Sequence, residues 1–365
     1  MNRLLPALAV VGLALLLVIP AAVAQELTAD DYIQYFKPLE GSWKKTTESD
    51  GTVLHSTWRL RLSRTKTCFL SYEEGGGLPA MQTVDGYDPV AKKWTVAAFD
   101  AAGSFFLLTV HVANITKGKH LTKEVIGSSK FTIFKEDGTT TTMTSQLSCL
   151  ECSDNRVVLL WSDTKDQAQP RPSLKWTFDR QPEARQLSPN VTGVQPDVAQ
   201  GLTADDYVQL WKPLAGAWKG VVESDGKAIE STWRTRLAPH QKCFVAYGTG
   251  GGFPATQTID GFDPVTKKWT VVGFDADGTF SIDTCQLSDM QKGKRVGKGL
   301  IGNGEVKRFS KDGKATTITY KLSCTDFSDN RAAFVWSDRK ENGQPKPDEK
   351  WTAERQPEKE RKTRQ

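Results

Sequence analysis

The sequence predicts an all-β protein built as two tandem up-and-down antiparallel β-barrels of about ten strands each, with one short helix ahead of each barrel. Three observations carry this. The 365-residue chain repeats itself at a constant offset of 175 positions. Turn signals arrive at strand-sized intervals within each copy. The segments between them are β-branched and aromatic, as in Trp94-Thr95-Val96-Ala97-Ala98-Phe99 and Val157-Val158-Leu159-Leu160-Trp161.

The first 24 residues read as an export signal. Arg3 precedes an apolar run from Leu4 to Ile19, Pro20 interrupts it, and Ala22-Val23-Ala24 offers the small residues of a cleavage site before Gln25. An uncleaved anchor is the competing reading, opposed by Pro6, Pro20 and the small-residue end. No later segment is long and apolar enough for a membrane helix, so the expected mature protein is secreted or periplasmic, with no span after cleavage. Lys+Arg total 48 against Asp+Glu 43, a formal charge of +5 that calls for no nucleic-acid partner. With 38% hydrophobic and 25% charged residues, the composition also excludes a disordered or multi-span chain.

The repeat begins at Leu27-Thr28-Ala29-Asp30-Asp31-Tyr32, which recurs as Leu202-Thr203-Ala204-Asp205-Asp206-Tyr207. Ten of the 11 tryptophans form pairs, among them Trp43/Trp218, Trp58/Trp233 and Trp176/Trp351, while Trp211 stands opposite Phe36. Copies of this length are complete domains rather than solenoid units. The expected organisation is a signal at 1–24, a barrel at 25–185, a linker at 186–200, a second barrel at 201–357 and a charged tail at 358–365. Within each copy, Thr28 is an N-cap with Asp31 three residues on, and Tyr32, Ile33, Phe36 and Leu39 make one apolar stripe that Pro38 ends. Hairpin signals follow at Asp50-Gly51, Gly75-Gly76-Gly77, Asp88-Pro89, Gly103 and Asp137-Gly138, and again at Asp225-Gly226 and Asp277-Gly278. A sequential meander of this many strands removes its sheet edges by closing.

Gly41-Ser42-Trp43 and Gly216-Ala217-Trp218, each after a short helix, resemble the Gly-x-Trp signature of lipocalins and related calycin barrels. Gly86-Tyr87-Asp88-Pro89 with Lys92-Lys93-Trp94, and the matching Gly261-Phe262-Asp263-Pro264 with Lys267-Lys268-Trp269, are similar to a secreted bacterial family of lipocalin-like domains of unknown function. The resemblance spans essentially all of each repeat. It implies that Arg180 and Arg355 pack across Trp43 and Trp218 to close the barrels, and it implies no catalytic residue. No second helix follows either barrel, so a ten-stranded calycin-like barrel is the better match than a true lipocalin.

Trp58, Leu60 and Leu62 alternate with Arg59 and Arg61; the desolvation cost of the arginines turns the apolar set inward. A barrel of about ten strands leaves room for an internal ligand. Candidate lining residues, matched in both copies, are Trp58, Tyr72, Gln82, Asp85 and Asp100 in the first and Trp233, Tyr247, Gln257, Asp260 and Asp275 in the second. A turn or hairpin role stands beside this reading for each polar one. No G-x-S-x-G, H-E-x-x-H or phosphate-loop motif occurs, and no histidine is shared by the copies, so no catalytic residue, metal or cofactor is assigned. Six cysteines allow 15 pairings; Cys68 to Cys149 and Cys243 to Cys324 are the economical disulfides, while Cys152 and Cys285 are unmatched. The functional expectation is non-catalytic binding of a small, partly apolar molecule inside the barrel. An enzyme using the barrel mouth, such as an isomerase or hydrolase, and a structural protein with filled barrels are the alternatives.

Overall fold

The computed structural model describes residues 27–113, 115, 117–166, 169–182, 202–288 and 295–357. The expected signal, linker and tail lie outside those residues.

The first copy opens with helix α1 (Ala29–Phe36) and a 3-10 turn, Lys37–Leu39. Thr28 and Asp31 form the expected capping box, and Tyr32, Ile33, Tyr35 and Phe36 are buried against the barrel. The strands are β1 (Gly41–Ser49), β2 (Thr52–Leu62), β3 (Cys68–Gly75), β4 (Leu78–Asp88), β5 (Lys93–Asp100), β6 (Phe105–Val112), β7 (Glu124–Phe134), β8 (Thr140–Cys152), β9 (Arg156–Asp166), the two-residue β10 (Gln169–Pro170) and β11 (Leu174–Arg180). Each of β1 to β9 pairs antiparallel with the next, and β11 inserts between β9 and β1. Ten strands therefore close into a barrel, with β10 a short flap on β9.

The second copy repeats this with α2 (Ala204–Trp211), a 3-10 turn at Lys212–Leu214, and β12 (Gly216–Ser224), β13 (Lys227–Leu237), β14 (Cys243–Gly250), β15 (Phe253–Asp263), β16 (Lys268–Asp275), β17 (Phe280–Leu287), β18 (Gly299–Phe309), β19 (Ala315–Phe327), β20 (Arg331–Glu341), β21 (Gln344–Pro345) and β22 (Glu349–Gln356). Its ten long strands close in the same order. The Asp50-Gly51 hairpin shows why that dipeptide signals a turn: φ is +48° and +73°, the left-handed pair that a two-residue turn requires. No helix among the described residues is long and apolar enough to cross a membrane.

Each barrel has its own core, and a third apolar cluster joins them. That seam contains Cys68, Val84, Ala97, Phe99 and Phe105 of the first barrel against Cys243, Ile259, Val272, Phe274 and Phe280 of the second. The contact is reciprocal. A Cβ on Gly86 would lie 2.6 Å from the Phe274 ring, and one on Gly261 would lie 2.6 Å from the Phe99 ring. Each glycine is therefore the socket for the other copy's phenylalanine, which accounts for Gly in the matched Gly-aromatic-Asp-Pro segments.

Candidate functional site

Directly opposed residues in a sheet share a face, so register assigns each side chain to lumen or exterior. Trp43, fully buried in the core, pairs with Trp58, and Trp58 pairs with Glu73. One inward row therefore runs Trp58, Glu73, Met81, Asp100. A second runs Phe69, Asp85, Val96, Leu108, Phe131, Met143. Trp58 points inward and Arg59 and Arg61 outward, as desolvation demands.

The helix end of the first barrel is sealed. Arg180 lies over Trp43, 4.1 Å from its ring centroid, and donates to the carbonyls of Glu40 (2.9 Å), Pro38 (3.0 Å) and Asp154. Arg355 does the same over Trp218 at 4.3 Å, donating to the carbonyls of Ala215, Pro213 and Asp329. The first guanidinium also occupies the space that a side chain on Gly41 would need, the physical content of the Gly-x-Trp pattern.

The other end of the first barrel is open and mostly apolar. Val96, Leu108, Phe131 and Met143, with Met81, Phe106, Ile133 and Leu174, all face inward yet stay partly solvent-accessible. Phe106 and Phe131 stack with centroids 5.7 Å apart. Deeper in, Lys45 and Glu73 form a buried ion pair with Nζ 2.9 and 3.0 Å from the two carboxylate oxygens. Ser56 adds a 2.7 Å hydrogen bond to Glu73, and the Lys45 ammonium sits 3.9 Å from the Trp176 ring centroid. Burial pulls the Lys45 pKa down, opposed by the Glu73 charge. Trp161 packs against Trp176, centroids 5.1 Å apart, and its buried indole N–H has no partner among the described residues. Asp85 is buried with a 3.3 Å contact from the Thr83 hydroxyl, and burial pushes its carboxyl up to about 8.

The second lumen differs at these positions. Lys45 and Glu73 are matched by Gly220 and Gly248, and the space beside Gly248 is taken by the Trp233 ring. Leu108 is matched by Asp283, whose carboxylate accepts from Tyr320 at 2.7 Å, and Asp260 accepts from Tyr207 at 2.8 Å. Burial raises both aspartates to about 7. Ile133 is matched by Arg308, which pairs with Asp275 at 3.0 Å, and Leu174 by Glu349, which pairs with Arg339 at 2.8 Å. This lumen carries paired charges where the first is apolar, beside the inward Val271, Val306 and Ile318, and its buried Trp269 indole N–H has no partner among the described residues.

The candidate lining residues thus divide. Trp58, Asp85, Trp233 and Asp260 are inward. Asp100 and Asp275 face inward at the open rim, where Asp100 accepts the backbone N–H of Ser104 at 2.8 Å, a turn role. Asp85 and Asp100 stand in different rows and form no carboxylate pair. Tyr72, Gln82, Tyr247 and Gln257 are corrections: Tyr72 pairs with Arg59 and Gln82, and Tyr247 with Arg234 and Gln257, so all four lie on the outer wall. Gln82 and Gln257 donate to the carbonyls of Ser71 and Ala246, each at 2.6 Å, while Tyr72 lies over His240 of the other barrel, ring centroids 6.5 Å apart. The disulfide pairing is also corrected, since all six cysteines are free. Cys68 pairs with Gly86 and faces outward into the seam, whereas Cys149 belongs to the barrel core, so no bridge through the wall is open to them. The β-bulge between Cys149 and Glu151 instead turns Cys149 and Cys152 to one face, and their thiols interact. Among the described residues no cluster of three or more potential metal ligands occurs. Two surface concavities, of about 880 Å³ beside Lys268, Glu305, Lys321 and Asp338 and about 270 Å³ beside Lys44, His55 and Glu74, contain none of the candidates.

The Lys45–Glu73 pair was missed in the sequence. Its signal was available in the repeat: both charges are replaced by glycine in the other copy, as a mutually dependent pair would be.

No protein-family model matches the chain, and comparison with curated protein sequences finds no match. Among solved structures, one that it is similar to is a protein of unknown function from the DUF3598 family of Nostoc punctiforme, at 11% identity and a TM-score of 0.21, covering 90% of this chain and 99% of that one. Another is kievitone hydratase from Nectria haematococca, at 10% identity and a TM-score of 0.16, covering 92% and 94%. At those scores neither bears on function.

Proposed function

We propose that this is an exported, calycin-like tandem barrel whose first barrel binds a small, partly apolar molecule without transforming it. The observation that carries the reading is the row Val96, Leu108, Phe131, Met143: inward-facing apolar side chains that solvent still reaches. Apolar surface inside a barrel contributes most when something apolar covers it, at roughly 25 cal/mol per Å². The unpaired indole N–H of Trp161 supplies a donor for one acceptor on such a ligand, a carbonyl or hydroxyl oxygen. The second lumen also keeps partly accessible Val271, Val306 and Ile318 and an unpaired indole N–H at Trp269, but it places the charged Asp283, Arg308 and Glu349 where the first has Leu108, Ile133 and Leu174, so its accessible surface is less apolar. Export accords with the amino-terminal apolar run and would be checked by sequencing the mature terminus, expected at Gln25.

The test is native mass spectrometry of purified full-length protein, followed by thermal-shift titration with long-chain alcohols, ketones and carotenoid-type pigments. A bound molecule, or a saturable upward shift abolished by Leu108→Asp, supports binding in the first barrel. No co-purifying molecule and no shift across the panel, or a shift that survives Leu108→Asp unchanged, would overturn it.

A further inference from the structure

The outward arginines set aside by the lumen converge where the barrels meet. Arg59 and Arg61 project from the outer face of β2, and their repeat partners Arg234 and Arg236 from that of β13. Both strands end in loops that reach across the seam. After β2, Arg64 lies over the ring of Tyr247, 5.3 Å from its centroid; after β13, His240 lies over Tyr72. These two loop contacts bring the ends of β2 and β13, which carry Arg61 and Arg236, to the rim of the seam. Arg61, Arg234 and Arg236 are exposed and Arg59 is half-buried; desolvation and the charge of Arg61 lower the Arg236 pKa.

These side chains, like the exposed Arg295 elsewhere, differ from most of the described arginines. Arg156, Arg171, Arg180, Arg308, Arg339 and Arg355 each hold a carboxylate or a carbonyl. Among the described residues, none of Arg59, Arg61, Arg64, Arg234 and Arg236 has a salt bridge or a hydrogen bond from its guanidinium. Glu74, which bonds Tyr72 opposite Arg59, is the acidic neighbour on this face; the excess of like charge costs stability, and a bound anion removes that cost.

We propose that the seam is an anion site in which Arg59 and Arg61 on one wall and Arg234 and Arg236 on the other clasp an oligophosphate. A guanidinium fork matches phosphate oxygens in a bidentate manner. Two equivalent pairs, one from each barrel, fit a ligand with charged groups at both ends, whereas a single phosphate satisfies one wall only. The site is independent of the lumen.

The probe is inorganic tripolyphosphate, titrated calorimetrically into the full-length protein at low and high salt. Saturable binding of one tripolyphosphate per chain is expected, weakening with salt. Arg61→Gln and Arg236→Gln should each weaken it at least about tenfold. Lys350→Gln, on β22 away from the seam, should leave it unchanged. Orthophosphate should bind far more weakly. Without ligand, Arg61→Gln should raise the thermal midpoint at low salt, and the gain should vanish at high salt. Absence of saturable binding, equal weakening by Lys350→Gln, orthophosphate binding as well as tripolyphosphate, or a lower midpoint for Arg61→Gln would each overturn the proposal.

Discussion

The reciprocal socket at the seam allows a double-mutant cycle with a worked magnitude. In Gly86→Ala the new methyl would sit 2.6 Å from carbons of the Phe274 ring. Optimal carbon contacts lie near ~3.5–4.0 Å, so ring or strand must retreat by about 1 Å. Gly86 faces outward from β4, and overpacking at such a buried contact costs about 1–3 kcal/mol. Phe274→Ala alone removes a ring that is 2% exposed, at a cost of about 3–5 kcal/mol. In the double variant the Gly86 methyl no longer meets a ring and occupies part of the space left behind. Its cost should therefore fall below the sum of the single costs by at least about 1 kcal/mol. Urea unfolding of the full-length protein, followed by tryptophan fluorescence, reads all four corners. Because each barrel has its own core, a weakened seam should also split a shared transition into two. Strict additivity, with Gly86→Ala within about 0.5 kcal/mol of the parent, would refute the socket.

Other outcomes follow from buried charge. Burial holds Asp85 protonated to about pH 8, so the stability it contributes is complete below the ordinary carboxyl value and is lost as pH rises through 8. Asp85→Asn should gain on the parent by about 1.4 kcal/mol per pH unit between about 4 and 8, reaching about 4 kcal/mol at pH 7, and then level off; a pH-independent difference contradicts this. Lys45→Met strands the Glu73 carboxylate in an aromatic lumen and should cost about 3–5 kcal/mol, with Glu73→Gln added to it recovering part; equal denaturation midpoints for parent and single variant would show the pair to be dispensable. Mild oxidation with a disulfide reagent should join Cys149 to Cys152, seen by peptide mapping, and any Cys68–Cys149 peptide would contradict the opposite facing of those residues.

The fold was legible because its signals are local. Capping boxes, Asp-Gly turns, β-branched runs and the constant repeat offset each act over a few residues, and the closed meander follows from their order. Facing was legible only where one strand carried its own contrast. Trp58, Leu60 and Leu62 against Arg59 and Arg61 separate cleanly into two faces, so Trp58 was placed correctly. In β3, Phe69 and Leu70 are both apolar and Tyr72 is amphipathic, so the face of Tyr72 depends on its register with Arg59, a pairing set by the neighbouring strand. Gln82 follows the same register on β4, and its burial comes from the other barrel rather than from the lumen.

The repeat also concealed a distinction. Matching between copies draws attention to shared residues, and those turn out to serve what the barrels have in common: closure by Trp43 and Arg180, the glycine sockets and the outward glutamines. What separates the lumens lies at unmatched positions, where Leu108 meets Asp283, Ile133 meets Arg308, Leu174 meets Glu349, and the Lys45–Glu73 pair meets two glycines. Each of these charged groups of the second lumen has a partner within reach, and together they break the apolar surface that runs unbroken through Leu108, Ile133 and Leu174 in the first. Two lumens that began as copies can diverge this far because their residues touch only their own barrel. The seam cannot, since a change to Gly86 or Phe274 is felt at once by the other copy, and the loops after β2 and β13 that cross its rim follow strands carrying Arg59 and Arg61 in one copy and Arg234 and Arg236 in the other. Unpaired charges kept in duplicate beside the rim of that seam are explained by a ligand that needs both walls.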